Sequence, residues 1–548
     1  MSSYACLFEA KSIQEYILRS GRLRHVVGAS ELLDSLTPAL FQDALQALGL
    51  VADADVRWSR CAGGAVYLFT DDQKARERLL DLWSLTVRQY APGLDFVLAA
   101  GEGDDDYAAY LDARRKLEAA RNRPASVLPA GTPVSRYARR TGEPAVKGHR
   151  LLGLQDEATA RFGLERFWRG QRLAKRFAAD EPLTHWPATL DFEPETGEPG
   201  FPFLPDNRWL GLLHADGNGL GAVIKALGSH VKHDPTVFVP LFRAFSDAIA
   251  AATVEAARIA TKDVLLTERD HRSAELADRT HRDRTLAARP IVLGGDDLTI
   301  LLRGDLAIPF ARRFLTVFET TSAEALANLR QRFPKVTGIP EALTAGGGIA
   351  FVKSNHPFHL SHELAESVAA LAKQQGKQKA AGDRVPPTLA FHRVTSAVHG
   401  DYRQILLTER TCGPADAPVQ TTLGAYGLDT APASGLPALA ELEALARLLG
   451  REDMARGPAR QFLTLLGQDH DDAQRRYHRW REVMDDRNPA ALAEMMGHLQ
   501  RLCGALDPDL PVSAAPPRKT PLGDVATLLA ITQGTHGEAG AADLEAAA

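Results

Sequence analysis

The chain has 548 residues, 45% of them apolar and 24% charged, and a formal net charge of −5. This length predicts three or four domains, and the composition excludes a disordered or fibrous protein. The net negative charge excludes a surface covered with phosphate contacts, so any nucleic-acid site has to be a local patch.

The cysteines and the apolar segments predict where the protein resides. Cys6, Cys61, Cys412 and Cys503 lie far apart without a CxxC pair, which predicts reduced thiols and neither a disulfide framework nor a zinc site. The N-terminal segment carries charges that a secretory signal would lack, and no stretch approaches the roughly 20 uncharged apolar residues of a membrane span. We expect a cytoplasmic protein with no membrane partner.

Residues 1–103 predict one unit of strands and helices. YACLFEA is a strand, the following segment repeats apolar residues at helical spacing, VRWSRCAGGAVYLFT is a glycine-turn hairpin, KARERLLDLWSLTVRQY is a helix, and DFVLAAGEG is a strand. Residues 104–207 follow as a helical and linker domain. Its helix ERFWRGQRLAKRF carries basic residues that either contact RNA or a partner subunit, or flank a buried stripe of Phe167, Trp168, Leu173 and Phe177. The basic residues are Arg166, Arg169, Arg172, Lys175 and Arg176.

The same order of elements repeats in residues 208–401, so the chain carries a weak duplication of a βαββαβ unit. RWLGLLHADGNGLGAVI is a strand leading into a helix, a long helix follows, and PIVLGGDDLTILL is the second hairpin. The charged segment 261–290 predicts a solvated insertion. Residues 402–548 predict a C-terminal helical domain with an Ala-rich, flexible tail.

The GGDD turn of the second hairpin places Asp296 and Asp297 inside an apolar run. Alone, it fits a β-turn whose carboxylates face water. Asp216 ends an apolar strand that lies beside the hairpin in a βαββ sheet, so the three carboxylates can converge on one edge. Such a cluster is typical of a divalent-metal site for phosphoryl transfer, because unpaired buried carboxylates are costly.

Glycines and lysines near this edge predict contacts to phosphate. Gly217, Gly219 and Gly221 let backbone amides approach a phosphate at the start of a helix. Lys373 and Lys377 lie four residues apart on one helical face, where they could clamp a triphosphate or simply form a solvated helix end.

These motifs together resemble the large palm-domain subunit of type III CRISPR effector complexes and, more distantly, GGDEF-type nucleotidyl cyclases. The resemblance rests on IQEYILRSGRLRHVVGASELL, HADGNGLG, GGDDL, TAGGGIAFVKSNHPF, AESVAALAKQQGK, TLAFHRVTSA and TPLGDVATLLAI. It implies an α+β fold with two ferredoxin-like (βαββαβ) palm domains packed together, plus helical linker and C-terminal helical domains.

The resemblance also implies an activity: ATP is converted to cyclic oligoadenylate with release of pyrophosphate, in antiviral defence. Two Mg²⁺ or Mn²⁺ ions would be held by Asp216, Asp296 and Asp297, with Asp296 and Asp297 catalytic. Guide RNA, target RNA and other effector subunits are the implied partners. The implied nucleotide-binding residues are Gly217, Asn218, Gly219, Gly294, Gly295, Lys373 and Lys377, and Gly63 and Gly64 could contact a second nucleotide.

The chain departs from the family pattern at two places. It starts directly in the first palm, and its His233-Asp234 and His470-Asp471 pairs fit surface loops or helix starts, so we expect no HD-type nuclease. The segment PVSRYARRTGEPA lacks the cysteines of the family's zinc segment, so we expect no zinc there. In the first palm Ala65 and Val66 stand where the aspartates would be, which predicts no metal catalysis on that side.

Two other functions compete with this prediction. A diguanylate cyclase is disfavoured because Asp297 and Leu298 stand where GGDEF enzymes have Glu and Phe, and no RxxD site lies just upstream of Gly294. A non-catalytic scaffold that holds RNA and neighbouring subunits is disfavoured by the three carboxylates, which a scaffold does not need.

Overall fold

The structure is a computed structural model. It describes residues 2–122, 131–132, 134–150, 152–178, 181, 184–275, 284–380, 384–395, 401–428, 435–454 and 457–532. The predicted Ala-rich tail, residues 276–283 of the charged segment and the last residues of TLAFHRVTSA lie outside these ranges.

The first unit is an antiparallel four-stranded sheet with helices, in the predicted order. Its elements are β1 (Ser3–Ala10), α1 (Ile13–Leu18), α2 (Leu23–Ser35), α3 (Phe41–Ala47), β2 (Val56–Ala62), β3 (Ala65–Thr70), α4 (Gln73–Tyr90) and β4 (Phe96–Gly103). The strand order β2-β3-β1-β4 is that of a ferredoxin-like βαββαβ unit. The hairpin between β2 and β3 turns through Gly63 and Gly64 at φ +59° and +71°, which glycine adopts without strain.

The linker region contains short elements. They are α5 (Asp106–Arg121), β5 (Lys147–His149), β6 (Gly153–Gln155), α6 (Glu157–Phe162), α7 (Glu165–Trp168) and α8 (Arg172–Phe177). The prediction of one continuous basic helix is wrong, because the backbone breaks at Gly170 and Gln171, where Gln171 has φ +51°. The predicted buried stripe is confirmed, since Phe167, Trp168 and Phe177 are buried.

The second unit repeats the first and extends it. Its elements are β7 (Trp209–Gly217), α9 (Leu220–Val231), α10 (Phe238–Ala260), α11 (Thr267–Glu275), β8 (Ala288–Gly294), β9 (Asp297–Arg303), α12 (Gly304–Arg332), β10 (Ala345–Lys353), α13 (Phe358–Gln378) and β11 (Thr388–Arg393). Strands β8-β9-β7-β10 have the ferredoxin-like order, and β11 adds to β10 in parallel through α13. The predicted α+β fold with two such units is confirmed.

The charged segment after α10 is not a solvated insertion over residues 261–275, where the chain stays helical. The expectation fails because Val264, Leu265 and Leu266 are buried. The charges are also paired, since Arg303 Nη1 donates to Glu268 Oε1 at 2.8 Å.

The C-terminal region is mainly helical, as predicted. Its elements are α14 (Tyr402–Thr408), β12 (Thr411–Cys412), β13 (Val419–Gln420), β14 (Ala425–Gly427), α15 (Leu439–Gly450), α16 (Gly457–Leu466), α17 (His470–Arg487), α18 (Pro489–Cys503), β15 (Arg518–Lys519) and α19 (Leu522–Ile531). Strand β14 pairs with β11 and becomes the edge of the second sheet.

The two ferredoxin-like units are packed together, as predicted. Phe69 of the first sheet meets Phe238 of α10 with ring centroids 5.6 Å apart. The Arg243 guanidinium lies 4.4 Å from the Trp58 ring centroid. On the other side, the Ser30 hydroxyl of α2 donates to the Ile291 carbonyl of β8. The second sheet is therefore covered on both faces.

One helical run has the length and hydropathy of a membrane span. Among the described residues this is Pro235–Arg272, which differs from the expectation that no stretch approaches a span. A core helix passes the same test, and α10 within this run buries Phe245, Ile249, Ala252 and Ala256. The run is therefore weak evidence for a membrane segment.

Candidate functional site

A cleft of about 590 Å³ lies between the end of β7 and the helix α13. Its lining residues are His214, Asp216, Glu366, Ala369, Ala370, Lys373, Gln374, Lys377 and Gln378. On α13 the positions 366, 370, 373 and 377 follow helical spacing, so one face of the helix forms one wall. The cleft therefore joins the predicted Asp216, Lys373 and Lys377.

The register of the sheet brings the three predicted carboxylates together. Strands β7 and β9 are antiparallel, with Ala215 opposite Leu298. Continued by one residue, this register places Asp216 opposite Asp297, and continued by two it places Gly217 opposite Asp296. The packing agrees, because a Cβ on Gly217 would lie 2.7 Å from Asp296 Oδ2. Gly217 is therefore needed for the Asp296 side chain to lie across the end of β7.

The charges of these carboxylates are unfavourable in this setting. Burial, followed by the nearby Asp216 carboxylate and a hydrogen bond to it, raises the pKa of Asp296 to about 6. Burial, Asp216 and Glu366 raise the pKa of Asp297 to about 7. Both carboxylates are therefore harder to ionise than an ordinary aspartate, and a positive partner would favour their charged forms.

Lys373 supplies one positive charge. Its ammonium group contacts Asp216 Oδ2 and donates to the Gly217 carbonyl at 2.8 Å. Two glycines of β10, Gly346 and Gly348, allow this reach, because they let α13 lie directly on the strand. A Cβ on Gly346 would lie 2.5 Å from Lys373 Cγ, and one on Gly348 would lie 2.2 Å from the Ala369 backbone nitrogen. The segment TAGGGIAF thus sets the distance between Lys373 and Asp216.

The chemistry of the donor set fits a divalent cation. Asp297 Oδ1 is buried and has no hydrogen-bond partner among the residues that the structure describes, although His214 Nδ1 lies 3.4 Å away. A hydrogen bond to Asp216 is also among the interactions that raise the pKa of Asp296. In the part of the chain that the structure describes, no three His, Cys, Asp or Glu side chains already converge on one metal position. The three predicted carboxylates lie next to one another, and Lys373 contacts Asp216.

The predicted nucleotide-binding residues differ in what they do in the structure. Gly219 starts α9 at φ +75° and Gly295 turns the hairpin at φ +61°, so both provide left-handed backbone next to the carboxylates. Asn218 instead fastens β7 to the segment before β10, because its backbone N–H and its side-chain amide donate to Thr344 O at 2.7 Å and Thr344 Oγ1 at 3.0 Å. Lys377 is exposed at the wall of the cleft.

The two glycine turns of the palms meet at Gly63 and Gly294. A Cβ on Gly294 would lie 3.7 Å from Gly63 Cα, so the first-palm turn lies beside the GGDD turn. Gly64 faces its own unit, where a Cβ would lie 2.7 Å from Ile13 Cδ1. Of the two residues predicted to contact a second nucleotide, only Gly63 is brought to the neighbouring turn.

Two residues of the site were not predicted. His214 accompanies Asp216 on the same face of β7, and its Nδ1 lies 3.1 Å from Thr299 Oγ1. Burial lowers the pKa of His214, so it is neutral at physiological pH. Glu366 lies two helical turns before Lys373. His214 could have been identified because it lies two residues before Asp216, on the same face of the strand. Glu366 could have been identified because it lies seven residues before Lys373, on the same face of the helix.

The His-Asp pairs lie at local features of the fold, outside the cleft. His233 Nδ1 lies 3.0 Å from the Ser229 carbonyl, and Asp234 caps a short 3₁₀ turn. His470 and Asp471 begin α17. The basic residues Arg166, Arg169, Arg172 and Lys175 are exposed, whereas Arg176 pairs with Asp34 at 2.7 Å.

Comparison with known proteins identifies the second unit. Residues 209–381 match the family described as Cas10/Cmr2, second palm domain. This span contains β7, the GGDD turn, β10 and α13. The second unit is therefore a palm domain of the Cas10/Cmr2 type, and the resemblance to a Cas10-like palm subunit is confirmed. No curated protein sequence matches the chain.

Solved structures that are similar to this chain have low sequence identity and TM-scores below 0.5. A Csm1-Csm4 cassette in complex with cA3 has 12% identity and a TM-score of 0.45 over 96% of this chain and 69% of that chain. A cassette in complex with AMPPNP has 14% identity and a TM-score of 0.45 over 97% of this chain and 70% of that chain. Csm1 in T. onnurineus has 14% identity and a TM-score of 0.45 over 96% and 69%.

Proposed function

We propose that the Cas10/Cmr2-type palm domain makes this protein a CRISPR-associated nucleotidyl cyclase. It would join ATP molecules into cyclic oligoadenylate, release pyrophosphate and act in the cytoplasm with guide RNA, target RNA and other effector subunits. The observation that carries the proposal is that Asp296 and Asp297 lie next to Asp216, which lines a cleft of about 590 Å³ together with Lys373. That volume lies in the range of small-molecule sites.

The carboxylates define the reacting end of the cleft. Asp216, Asp296 and Asp297 would hold one or two Mg²⁺ or Mn²⁺ ions, which when bound lower the pKa of an attacking 3′-hydroxyl and stabilise charge on the α-phosphate. Asp297 Oδ1 is available for this role because no described residue forms a hydrogen bond with it. His214 lies 3.4 Å from Asp297 Oδ1 and is neutral, so it adds no competing positive charge there.

The lysines of α13 define the phosphate-binding end. Lys373 contacts Asp216, so its ammonium group is already at the carboxylates. Lys377 follows one turn later, at an exposed position of the same wall. Two cations one helical turn apart would bind the β- and γ-phosphates and orient the α-phosphate toward the carboxylates. Gly219 leaves the first turn of α9 open to a phosphate oxygen.

The test is a nucleotide-joining assay with a matched control. The full-length protein, with Mg²⁺ or Mn²⁺ and with candidate RNA and partner subunits, is incubated with labelled ATP or GTP, and products are identified by mass spectrometry. We expect cyclic oligoadenylate from the wild type and none from Asp296→Asn/Asp297→Asn. The control Asp485→Asn/Asp486→Asn changes another Asp-Asp pair, exposed on α17, and should keep full activity.

The other outcomes separate the alternatives. Cyclic di-GMP from GTP would favour a diguanylate cyclase. The absence of any product from either nucleotide, with RNA and partners present, would refute the enzyme and leave the scaffold. Equal loss of activity in the control pair would show that the loss in the site variant is not specific to the site. Melting curves of the two variants would show whether both lose activity because they unfold.

A further inference from the structure

A second cleft lies at the opposite end of the second sheet from the carboxylates. It has a volume of about 530 Å³ and lies between the sheet and the C-terminal helices α16 and α19. Trp209 starts β7, Lys353 ends β10 directly opposite it, and Arg393 ends β11. Because Trp209 precedes Asp216 by seven residues on one strand, the two clefts are about 23 Å apart.

Three cations surround this cleft. They are Lys353, Arg393 and, from α16, Arg460. Among the residues described by the structure, none of the three forms an ion pair with a carboxylate, and Arg393 Nε is buried without a hydrogen-bond partner. The nearby Arg410 is different, because it is paired with Asp524 at 2.5 Å. The cleft therefore concentrates positive charge that the protein does not neutralise.

The environment of Lys353 and Arg393 is unfavourable to their charge. Burial and the neighbouring Arg393 lower the pKa of Lys353. Burial, Arg410 and Arg460 lower the pKa of Arg393. No carboxylate is among the groups that shift either pKa. An anion in the cleft would relieve this mutual repulsion.

Trp209 holds two of the cations in place. The Lys353 ammonium lies 4.1 Å and the Arg393 guanidinium 5.6 Å from its ring centroid. Cation–π contacts of this kind fix like charges near each other while leaving their hydrogen-bond donors unused. The donors are thus arranged before any ligand arrives, which lowers the entropic cost of binding.

We propose that this cleft binds a phosphate ester, either a nucleotide or the phosphodiester of RNA. Guanidinium groups bind phosphate oxygens in pairs, and three cations match an anion with several oxygens. The volume exceeds that of one phosphate, and Leu463 and Ala526 provide apolar wall for a sugar or base. Bound ligand would bridge the second palm and the C-terminal helices. The proposal is independent of the proposed cyclase reaction.

The test compares binding to the full-length protein with and without the cations. Fluorescence titrations in EDTA use AMP, inorganic phosphate and a short 5′-labelled single-stranded RNA. We expect Arg393→Gln/Arg460→Gln to lower affinity for at least one of them tenfold or more. The control Arg475→Gln/Arg479→Gln removes two exposed arginines of α17 and should change affinity less than twofold.

The results also separate the two sources of phosphate. Tenfold loss of AMP binding would identify a mononucleotide site, whereas loss confined to RNA would identify an RNA site. Unchanged affinity for all three ligands would overturn the proposal. Folding is monitored independently with Arg460→Gln, which removes one of three like charges. Without ligand, this variant should melt no lower than wild type. Added phosphate should raise its melting temperature less than it raises that of wild type at the same ionic strength.

Discussion

At the residue scale, the site concentrates partly buried negative charge that its own side chains only partly offset. Lys373 forms an ion pair with Asp216, His214 is neutral beside Asp297, and Glu366 adds a further negative charge. Burial and the neighbouring carboxylates raise the pKa of Asp296 to about 6 and the pKa of Asp297 to about 7. Such perturbed groups in a cleft are more typical of functional sites than of structural ion pairs.

A buried histidine in the first palm should make the protein acid-sensitive. Burial, then the neighbouring Arg22 and Arg140, lowers the pKa of His25 from 6.5 to about 4. Because the unfolded chain binds this proton at higher pH than the folded chain does, stability is present above pH 6.5 and is lost as the pH falls toward 4. Full protonation would cost on the order of 3 kcal/mol.

The measurement is the apparent melting temperature at pH 7.5 and pH 5. We expect His25→Gln, which keeps a polar partner for Gln155 but cannot be protonated, to reduce the difference between the two values. The control His359→Gln changes an exposed histidine of α13 and should leave the difference as in wild type. A pH dependence unchanged by His25→Gln would contradict the assignment.

At the element scale, the contact between β10 and α13 positions the lysines. Gly346 allows it, since a Cβ there would lie 2.5 Å from Lys373 Cγ. Gly346→Ala should push the Lys373 side chain from Asp216 and lower nucleotide-joining activity at least tenfold, with a modest loss of stability. The readouts are the product assay and the affinity for an ATP analogue.

A matched glycine separates this effect from general helix or strand propensity. Gly228 lies inside α9, and a Cβ there would contact nothing within 4 Å. Gly228→Ala should therefore keep activity and stabilise the protein by about 0.5–1 kcal/mol, because alanine loses less backbone entropy in a helix. Equal activity of Gly346→Ala and wild type would show that Lys373 does not depend on this close approach.

At the scale of the whole molecule, an aromatic cluster joins the first palm, the linker and the second palm. Phe238 of α10 is 1% exposed. Its ring contacts Phe69 of β3, Tyr107 and Tyr110 of α5, and Phe242. The domain limits stay a prediction, and β14 shows that the second sheet also uses chain beyond residue 401.

Truncation of this ring should loosen the interface between the palms. Phe238→Ala should cost about 3–5 kcal/mol, because it leaves a cavity at a fully buried position. We expect a lower apparent melting temperature and faster proteolysis between the two palms. Phe192→Ala is the control, since Phe192 is 54% exposed and its loss should change stability by less than about 0.5 kcal/mol. Equal effects of the two substitutions would contradict the role of the cluster.

Local patterns in the sequence were sufficient for the element order of both palms, the GGDD turn and the lysine spacing on α13. Strand alternation, helical periodicity and turn residues act over a few positions, so they can be read without knowing the partners. The proximity of Asp216 to Asp296 and Asp297 also followed, because the βαββ topology makes their strands neighbours. The resemblance to a Cas10-like subunit rested on the same motifs.

Only the tertiary structure decided which side chains touch. It placed Lys373 on Asp216 through the glycines of β10, added His214 and Glu366 to the cleft, and broke the basic segment at Gln171. It made residues 261–275 helical by burying Val264, Leu265 and Leu266, and it gathered Lys353, Arg393 and Arg460 from three distant segments. These contacts depend on register and packing between residues far apart in the chain, which no local pattern encodes.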